Sequence, residues 1–469
     1  MSFEQHENAS AKNCFFRPSS GQVIFPPLQN MRILDVVRHA GAYKLKSLID
    51  MRLIRFLFAF TFLLTTVFAF SQAGSDSEFA SFAKQQNDLF VDAYKKQDIG
   101  QYNSLLNEFL RRYENLTKEE QKIYASYYVN AYYNLSCTYS LLSNKQMALS
   151  CLDKAIKAGY ANYTHIQQDS DLNNIRNEKA FKTVIRSLRE TGDYLYILKK
   201  DNTRFTATDS IQVPSFTYQS ANNPNLVRLR QQFRLDSVAG SGNQVSRIIN
   251  VLHWVHNTVP HDGQHESGIK TINGFEIASV AKAKNIGVSC GELATLLNDC
   301  YLALDFKSRK IYCQPKDSLN TDYDAHVINV VYSTELKKWL WMDPTNDAYV
   351  MNEKGELLGI DEVRNRLIID QPLILNPDAN WNHRTSTTKD KYLYYYMAKN
   401  LYRFYCTLES GFDVETRGGE KTITYVNLVP QGYGKFKQVP AKMQFYNKDL
   451  KTSFIHYAIH NPATFWRVP

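Results

Sequence analysis

The chain has 469 residues, of which 44% are hydrophobic and 22% charged, with a formal net charge of +9. These are the values of an ordinary globular protein with room for two or three domains. Part of the positive charge lies before residue 74, and no run of Lys and Arg follows it. The charge distribution therefore gives no sign of a basic surface that binds nucleic acid.

The first readable element is a leader. The segment MRLIRFLFAFTFLLTTVFAFSQAG begins at Met51 with a basic start, continues as an apolar block and ends on small residues. That order is typical of a signal peptide. We therefore expect a mis-annotated extension over 1–50, a signal peptide over 51–73, and a mature protein that begins at Gly74 in the periplasm or outside the cell. An uncleaved anchor with a short cytoplasmic tail is the alternative for the leader, and no later segment indicates a membrane span.

Residues 74–198 show a helical pattern, with apolar residues at three- and four-residue spacing, no Pro and few Gly. Seven positions match the large and small residues of a tetratricopeptide repeat, which predicts a helix–turn–helix hairpin. These positions are Tyr132, Leu135, Ser136, Tyr139, Ala148, Leu152 and Ala155. The hairpin resembles the last repeat of such an array. Two interpretations stay open: a bundle that packs on the rest of the chain, or a groove for a peptide or protein partner.

The chain then changes character. Residues 199–235 are polar and contain Pro, which predicts a linker or strap. An amphipathic helix is predicted from Gln244, and short β-rich runs begin after Leu302. Helices followed by strands predict an α+β fold. We expect a catalytic domain over 236–395 and a C-terminal α/β extension over 396–469 that packs on it.

The stretch VSCGELATLL places a cysteine at the start of a predicted helix. Ser289 and Glu292 form the pattern of a capping box, which makes Ser289 the N-cap and Cys290 the first helical residue. The dipole and unpaired N–H groups at that end favour thiolate over thiol and could stabilise an oxyanion. Gly291 keeps the approach to the sulfur open. A buried stripe is predicted at Leu293, Leu297, Tyr301 and Leu304.

A thiolate nucleophile needs a histidine, and the histidine needs an orienting acceptor. Two strands with a turn between them are predicted downstream, the first opening at His326 and the second closing at Asp343. A register that pairs Val330 with Trp339 sets His326 opposite Asp343, so that the carboxylate accepts the Nδ1–H of the histidine. Pro344 ends the second strand.

The motifs GVSC, DAHV and WMDPT, in this order, resemble the transglutaminase-like superfamily of papain-type cysteine enzymes, in its exported bacterial members. The resemblance implies a papain-like core, in which a helix carrying Cys290 packs on an antiparallel sheet carrying His326 and Asp343. It implies that Cys290 is the nucleophile, His326 the general base and acid, and Asp343 the orienting group. Family members cleave peptide or amide bonds or crosslink glutamine to amines, and some are inactive.

We therefore expect an exported acyl-transfer enzyme that acts on a peptide or protein substrate without a cofactor. Hydrolysis is favoured over crosslinking because water is abundant and no amine site can be recognised. The alternative is a catalytically inactive protein that binds a peptide or protein in the old cleft.

Other polar residues predict less. His253, His256, His261 and His265 suggest a metal site, but no carboxylate or cysteine stands at a fitting spacing. We expect structural roles for them and no metal, with residues 260–263 forming a turn that borders the cleft. Loop capping is predicted for Asp324, Asn346 and Asp347, and contact of one of them with substrate stays open. Cys300 and Cys313 could form a disulfide or remain buried thiols.

Overall fold

The computed structural model describes residues 78–96, 98–209, 212–316, 325–433 and 442–469. The predicted leader, start and cleavage site lie outside these residues. The chain divides into two compact units, and the boundary falls between Asp193 and Tyr194. Within the described residues, no helix is long and apolar enough to cross a membrane.

The first unit is helical. Its helices are α1 (Glu78–Lys95), α2 (Ile99–Glu114), α3 (Lys118–Ile123), α4 (Ala125–Leu141), α5 (Lys145–Lys157), α6 (Tyr163–Gln168), α7 (Asn173–Arg176), α8 (Lys179–Val184) and α9 (Arg189–Gly192). Helices α4 and α5 form a helix–turn–helix hairpin over the predicted positions. The small residues Ser136, Ala148 and Ala155 are fully buried there, so the two helices approach closely.

The second unit mixes helices and strands. Its helices are α10 (Tyr194–Asp201), α11 (Pro224–Gln232), α12 (Leu235–Ala239), α13 (Gln244–Thr258), α14 (Gly274–Lys284), α15 (Cys290–Ala303), α16 (Ile360–Ile368), α17 (Ala398–Asn400) and α18 (Pro462–Phe465). A π-helical segment, Asp390–Met397, leads directly into α17.

A seven-stranded sheet forms the centre of this unit, in the order β12-β13-β11-β9-β2-β3-β4. The strands of the unit are β1 (Thr217–Tyr218), β2 (Ser308–Gln314), β3 (His326–Ser333), β4 (Lys338–Met342), β5 (Val350–Met351), β6 (Ile374–Leu375), β7 (Asn380–Trp381), β8 (Thr385–Ser386), β9 (Arg403–Thr407), β10 (Glu409–Ser410), β11 (Lys421–Leu428), β12 (Lys442–Asn447) and β13 (Thr452–Ile459). Within the large sheet, β11 and β13 pair in parallel and the other neighbours are antiparallel.

Strand β3 is buried on both faces, which explains its nearly continuous apolar sequence. One face packs with α13, α14 and α15, where Val331 joins their apolar residues. The other face carries Ile328 and Val330 into a second core with α16 and the π-helical segment. The helix that begins at Cys290 is thus held against the strand that begins at His326.

The predicted β3–β4 register is wrong. Val330 pairs with Trp341, not with Trp339, so the strands are shifted by two residues. The cause lies in the turn, because Ser333 stays in the strand and its hydroxyl accepts the Leu336 N–H at 3.1 Å. Since strand side chains alternate with a period of two, this shift leaves every side chain on its predicted face.

Two predicted segments are also assigned differently. The segment 396–469 supplies β9, β11, β12 and β13 to the same sheet as β2 and β3, so it completes that sheet instead of packing on it as an extension. The segment 199–235 is not a plain linker. It contains β1 and α11, and β1 pairs in parallel with β10.

Candidate active site

Cys290 opens α15 in the predicted manner. Ser289 is the N-cap, its hydroxyl accepts the Glu292 N–H at 3.3 Å, and the Glu292 carboxylate accepts the Ser289 N–H at 2.8 Å. Leu293, Leu297, Tyr301 and Leu304 are buried as predicted, but so is every residue from Glu292 to Ala303, so the helix is enclosed on all sides and not along one stripe. This burial fixes the helix in the core, and the partly buried thiol stands at its first, positively polarised turn.

His326 and Asp343 meet, although they are not cross-strand partners. The His326 Nε2 lies 2.8 Å from Asp343 Oδ2. Sequence reasoning assigned this bond to Nδ1, and the structure assigns it to the other ring nitrogen. His326 and Cys290 shift each other's pKa, so the imidazole and the thiol are neighbours. Since Nε2 is bonded to Asp343, Nδ1 is the ring nitrogen left for the thiol. The structure therefore brings the three predicted residues together as a line of neighbouring side chains, in the order Cys290, His326 and Asp343.

The pKa values of this line favour an ion pair. Burial raises the pKa of the Cys290 thiol, but hydrogen bonds from His261 and His326 outweigh burial and lower it to about 6. Burial lowers the pKa of His326, but the charge and hydrogen bond of Asp343, together with Cys290, raise it to about 10. Near neutral pH the site therefore holds a thiolate beside an imidazolium.

Asp343 is held as a carboxylate by several donors. Its Oδ1 accepts the Thr345 N–H at 2.8 Å. Its Oδ2 accepts from the Asn346 side chain at 3.1 Å and from the Tyr392 hydroxyl at 2.6 Å, in addition to His326. Burial raises the pKa of Asp343, but His326 and these donors lower it below its ordinary value. A permanently charged acceptor results, which is what an orienting group requires.

A second histidine, His261, also lowers the pKa of the Cys290 thiol, and sequence reasoning did not assign it a role there. It pairs as an isolated parallel bridge with Val288, two residues before Cys290. The Asp262 N–H donates to Val288 O at 2.8 Å, and the Val288 N–H donates to Pro260 O at 3.0 Å. The predicted border of the cleft at 260–263 is thus part of the site. In the sequence, the signals that pointed to this segment were His261 itself and the small residue Gly263 near it.

The hairpin of β7 and β8 fixes His261. The Asn382 side chain accepts the His261 N–H at 2.7 Å and donates to its carbonyl at 2.8 Å. The Trp381 indole N–H donates to His261 Nδ1 at 3.0 Å. The hairpin turns at Asn382 and His383, which both have positive φ, and this suits the turn that a right-handed strand twist favours.

The β7–β8 hairpin is also hydrogen-bonded to the segment that holds Asp343. The Asn380 N–H donates to Asn346 O at 2.9 Å, and Asn346 binds Asp343. His256 bridges the two segments, with Nδ1 at 3.0 Å from Pro344 O and Nε2 at 3.0 Å from Asn380 Oδ1. One connected set of hydrogen bonds therefore positions His261 and His326, the two histidines that lower the pKa of the Cys290 thiol.

The remaining predicted residues lie outside this line. His253 Nδ1 contacts both carboxylate oxygens of Asp347 at 2.7 and 2.8 Å, and this bond raises the pKa of His253. His265 pairs with Asp262 at an exposed position. Asp324 lies outside the described residues. The cysteines of the described residues are all free, so of the two alternatives for Cys300 and Cys313 the structure shows the buried thiols.

Another cluster belongs to the helical unit. The side chains of Cys137, Asp169 and Asp171 are buried, and their potential ligand atoms lie within 4.8 Å of one another. The Tyr133 hydroxyl donates to Asp169 at 2.7 Å, and Asp169 also accepts the Asp171 N–H at 3.0 Å. The Asp169 carboxylate thus joins the end of α6 to α4 in the helical core.

Comparisons with known proteins find partial likenesses. No family model matches the chain. A chloroplastic protein from Arabidopsis thaliana is 33% identical over 94 residues, which cover 19% of this chain and 26% of that protein. The structure of a candidate cysteine protease from Cytophaga hutchinsonii is similar with a TM-score of 0.20 and 18% identity, over 32% of this chain and 48% of that one. The chain spans about a quarter of the first protein and about half of the second.

Proposed function

We propose that this chain is an exported, transglutaminase-like cysteine enzyme that transfers acyl groups from peptide or amide bonds, chiefly to water. The observation that carries the proposal is that His326 bonds to Asp343 at 2.8 Å and lowers the pKa of the neighbouring Cys290 thiol. A cysteine kept only for packing needs neither an imidazole nor a carboxylate behind it. The other cysteines of the described residues lack such a pair of histidine partners and are buried.

The chemistry follows from the ion pair. The Cys290 thiolate attacks the carbonyl carbon of the substrate, and the carbonyl oxygen becomes an oxyanion. When that intermediate collapses, the C–N bond breaks and the His326 imidazolium gives its proton to the leaving amine. The neutral His326 then takes a proton from water, which attacks the thioester and releases the acid and the thiolate. Asp343 stabilises the imidazolium in each half of the cycle without exchanging a proton.

Hydrolysis is the favoured outcome because water reaches any thioester, whereas transfer to an amine requires a site that holds the amine. The helical unit is proposed to supply no catalytic group, and to be either a bundle that packs on the rest of the chain or a groove for a peptide or protein partner. The periplasmic or secreted location rests on the leader over 51–73.

Acyl-enzyme trapping tests the proposal. The mature chain is treated with p-nitrophenyl acetate at neutral pH, quenched in acid and mapped by mass spectrometry. We expect one acetyl group on the peptide that contains Cys290, and none in Cys290→Ala. Cys406→Ala is the matched control, because it removes a buried thiol whose pKa burial raises to about 12. A wild-type chain that acquires no acetyl group on Cys290 would contradict the proposal and favour a binding protein.

A further inference from the structure

His261 has a fixed hydrogen-bonding state. The indole N–H of Trp381 can only donate, and it points at His261 Nδ1 at 3.0 Å. Nδ1 must therefore accept, and it carries no proton. In the neutral ring the proton then sits on Nε2. Since Nδ1 is occupied by Trp381, Nε2 is the ring nitrogen left to interact with Cys290, whose pKa His261 lowers.

The two histidines at the sulfur therefore differ in kind. His326 has a carboxylate behind it, so it becomes a cation and exchanges protons. His261 has an N–H donor behind it, so protonation of Nδ1 would set two N–H groups against each other. A ring in this state cannot act as a base at sulfur, because its Nε2 already bears hydrogen. It can only donate a hydrogen bond.

We infer that His261 Nε2–H is an oxyanion-hole donor, which works together with the N–H of Cys290 on the tetrahedral intermediate. This role rests on the proposed function. The Cys290 N–H opens α15, where helix geometry provides no acceptor within the helix. In the free enzyme, His261 lowers the pKa of the thiol and so favours its thiolate form. Once sulfur has bonded to the carbonyl carbon, the negative charge moves to the carbonyl oxygen one bond away, and the same N–H follows it.

Fixed placement supports this role, because an oxyanion donor acts through preorganisation. Asn382 holds both the N–H and the carbonyl of His261, at 2.7 and 2.8 Å. A Cβ on Gly263 would lie 3.2 Å from His261 Cε1, so a side chain there would crowd the ring. The loop of His261 is also bonded to Val288 on the segment that leads to the nucleophile.

The test compares two reactions of the same sulfur. Acylation by p-nitrophenyl acetate forms an oxyanion, whereas alkylation by iodoacetamide forms none. Both rates are measured at a pH where the thiol is fully ionised. In His261→Leu we expect acylation to fall by about 10²–10³, the usual loss for one oxyanion donor, while alkylation falls far less. His261→Gln restores an N–H donor and should recover most of the acylation. His265→Leu, which removes an exposed histidine nearby, should change neither rate.

Trp381→Phe tests whether the indole N–H keeps the ring proton of His261 on Nε2. Without the indole N–H, the proton of the neutral His261 ring is no longer confined to Nε2, so we expect acylation to fall relative to alkylation. Equal losses of acylation and alkylation in His261→Leu, or an unchanged ratio in Trp381→Phe, would overturn the role. Circular dichroism establishes that each variant is folded. Wild-type chain without acyl-Cys290 contradicts the proposed function and this role together, whereas acylated wild type with equal losses contradicts the role alone.

Discussion

Tyr392 donates its hydroxyl proton to Asp343 Oδ2 at 2.6 Å, and the Trp341 indole N–H donates to the same hydroxyl at 3.1 Å. The buried hydroxyl therefore links Trp341 of the sheet to the Asp343 carboxylate. It comes from the π-helical segment, more than forty residues after Asp343 in the chain. The orientation of the acid thus depends on an element distant in sequence.

Tyr392→Phe should lower the free energy of unfolding by about 1.5–3 kcal/mol, the usual worth of a hydrogen bond to a charged group. Alkylation of Cys290 should persist, since the His326–Asp343 bond remains. Denaturant unfolding and iodoacetamide labelling measure the two effects. Tyr446→Phe is the control, because that ring is 52% exposed. Equal stability of the two variants would show that the Tyr392 hydroxyl does not support Asp343.

The pH dependence of alkylation should report the ion pair. The pKa of Cys290 is lowered to about 6, so the thiolate is lost only as pH falls through that value. The pKa of His326 is raised to about 10, so the imidazolium is lost only as pH rises through it. Alkylation should therefore rise through about pH 6, and turnover should fall toward pH 10. The two groups titrate as a pair, so each midpoint belongs to both.

Cys300 and Cys313 provide the internal comparison for that experiment. Burial raises the pKa of both thiols well above the ordinary value. They should stay unlabelled across the whole range in the folded chain. A midpoint for Cys290 near 8.5, the value of a free thiol, would contradict the ion pair.

Substitutions in the catalytic line should have graded, non-additive effects. Cys290→Ala should abolish acylation, and His326→Ala should cost nearly as much, because the thiolate and the leaving-group proton both depend on it. Asp343→Ala should leave residual activity, although loss of the orienting carboxylate in such a triad can cost about 10⁴-fold. Single-turnover acylation measures each loss. A wild-type rate in Asp343→Ala together with a loss in Asp347→Ala would place the acid elsewhere.

Gly287→Ala should displace His261 while leaving the histidine side chain itself unsubstituted. A Cβ at Gly287 would lie 2.7 Å from Asp262 Cβ and 3.1 Å from the His261 carbonyl carbon, so the loop must move. We expect a loss of about 1–3 kcal/mol in stability, typical of overpacking, together with slower acylation. Gly100→Ala is the control, because its Cβ would meet only an ordinary contact at 3.5 Å. Unchanged acylation in Gly287→Ala would mean that the loop position is not needed.

A chain that begins at Tyr194 should fold and keep acid-shifted labelling of Cys290, because the first unit ends at Asp193. A chain that begins at Ser220 should lose both properties. It lacks β1 and α10, and the α10 residue Asp201 accepts from Tyr402 at 2.7 Å and from Lys316 at 2.8 Å. Circular dichroism and labelling separate the outcomes. Loss of labelling in a folded chain from Tyr194 would show that the helical unit contributes to the site.

Local patterns predicted the parts of the site that local physics decides. The capping box placed Cys290 at a helix start, and strand alternation placed His326 and Asp343 on compatible faces. The β3–β4 register was predicted wrongly because Ser333 remains in β3 and the turn is shorter than expected. Strand alternation alone does not detect a shift of two residues. His261 could not be assigned because its partners, Trp381 and Asn382, lie about 120 residues away in a hairpin that carries no catalytic motif.

The strand order also separates the order of synthesis from the order of assembly. Strand β2 pairs with β3 on one side and with β9 on the other, although residues 308–314 and 403–407 are far apart in the chain. Such non-local pairing forms slowly, because a long loop must close before the contact stabilises it. A nascent chain that already contains Cys290, His326 and Asp343 still exposes an edge of β2 and lacks the hairpin that holds His261. We therefore expect the thiol to gain its partners late in folding, after most of the polypeptide has left the ribosome.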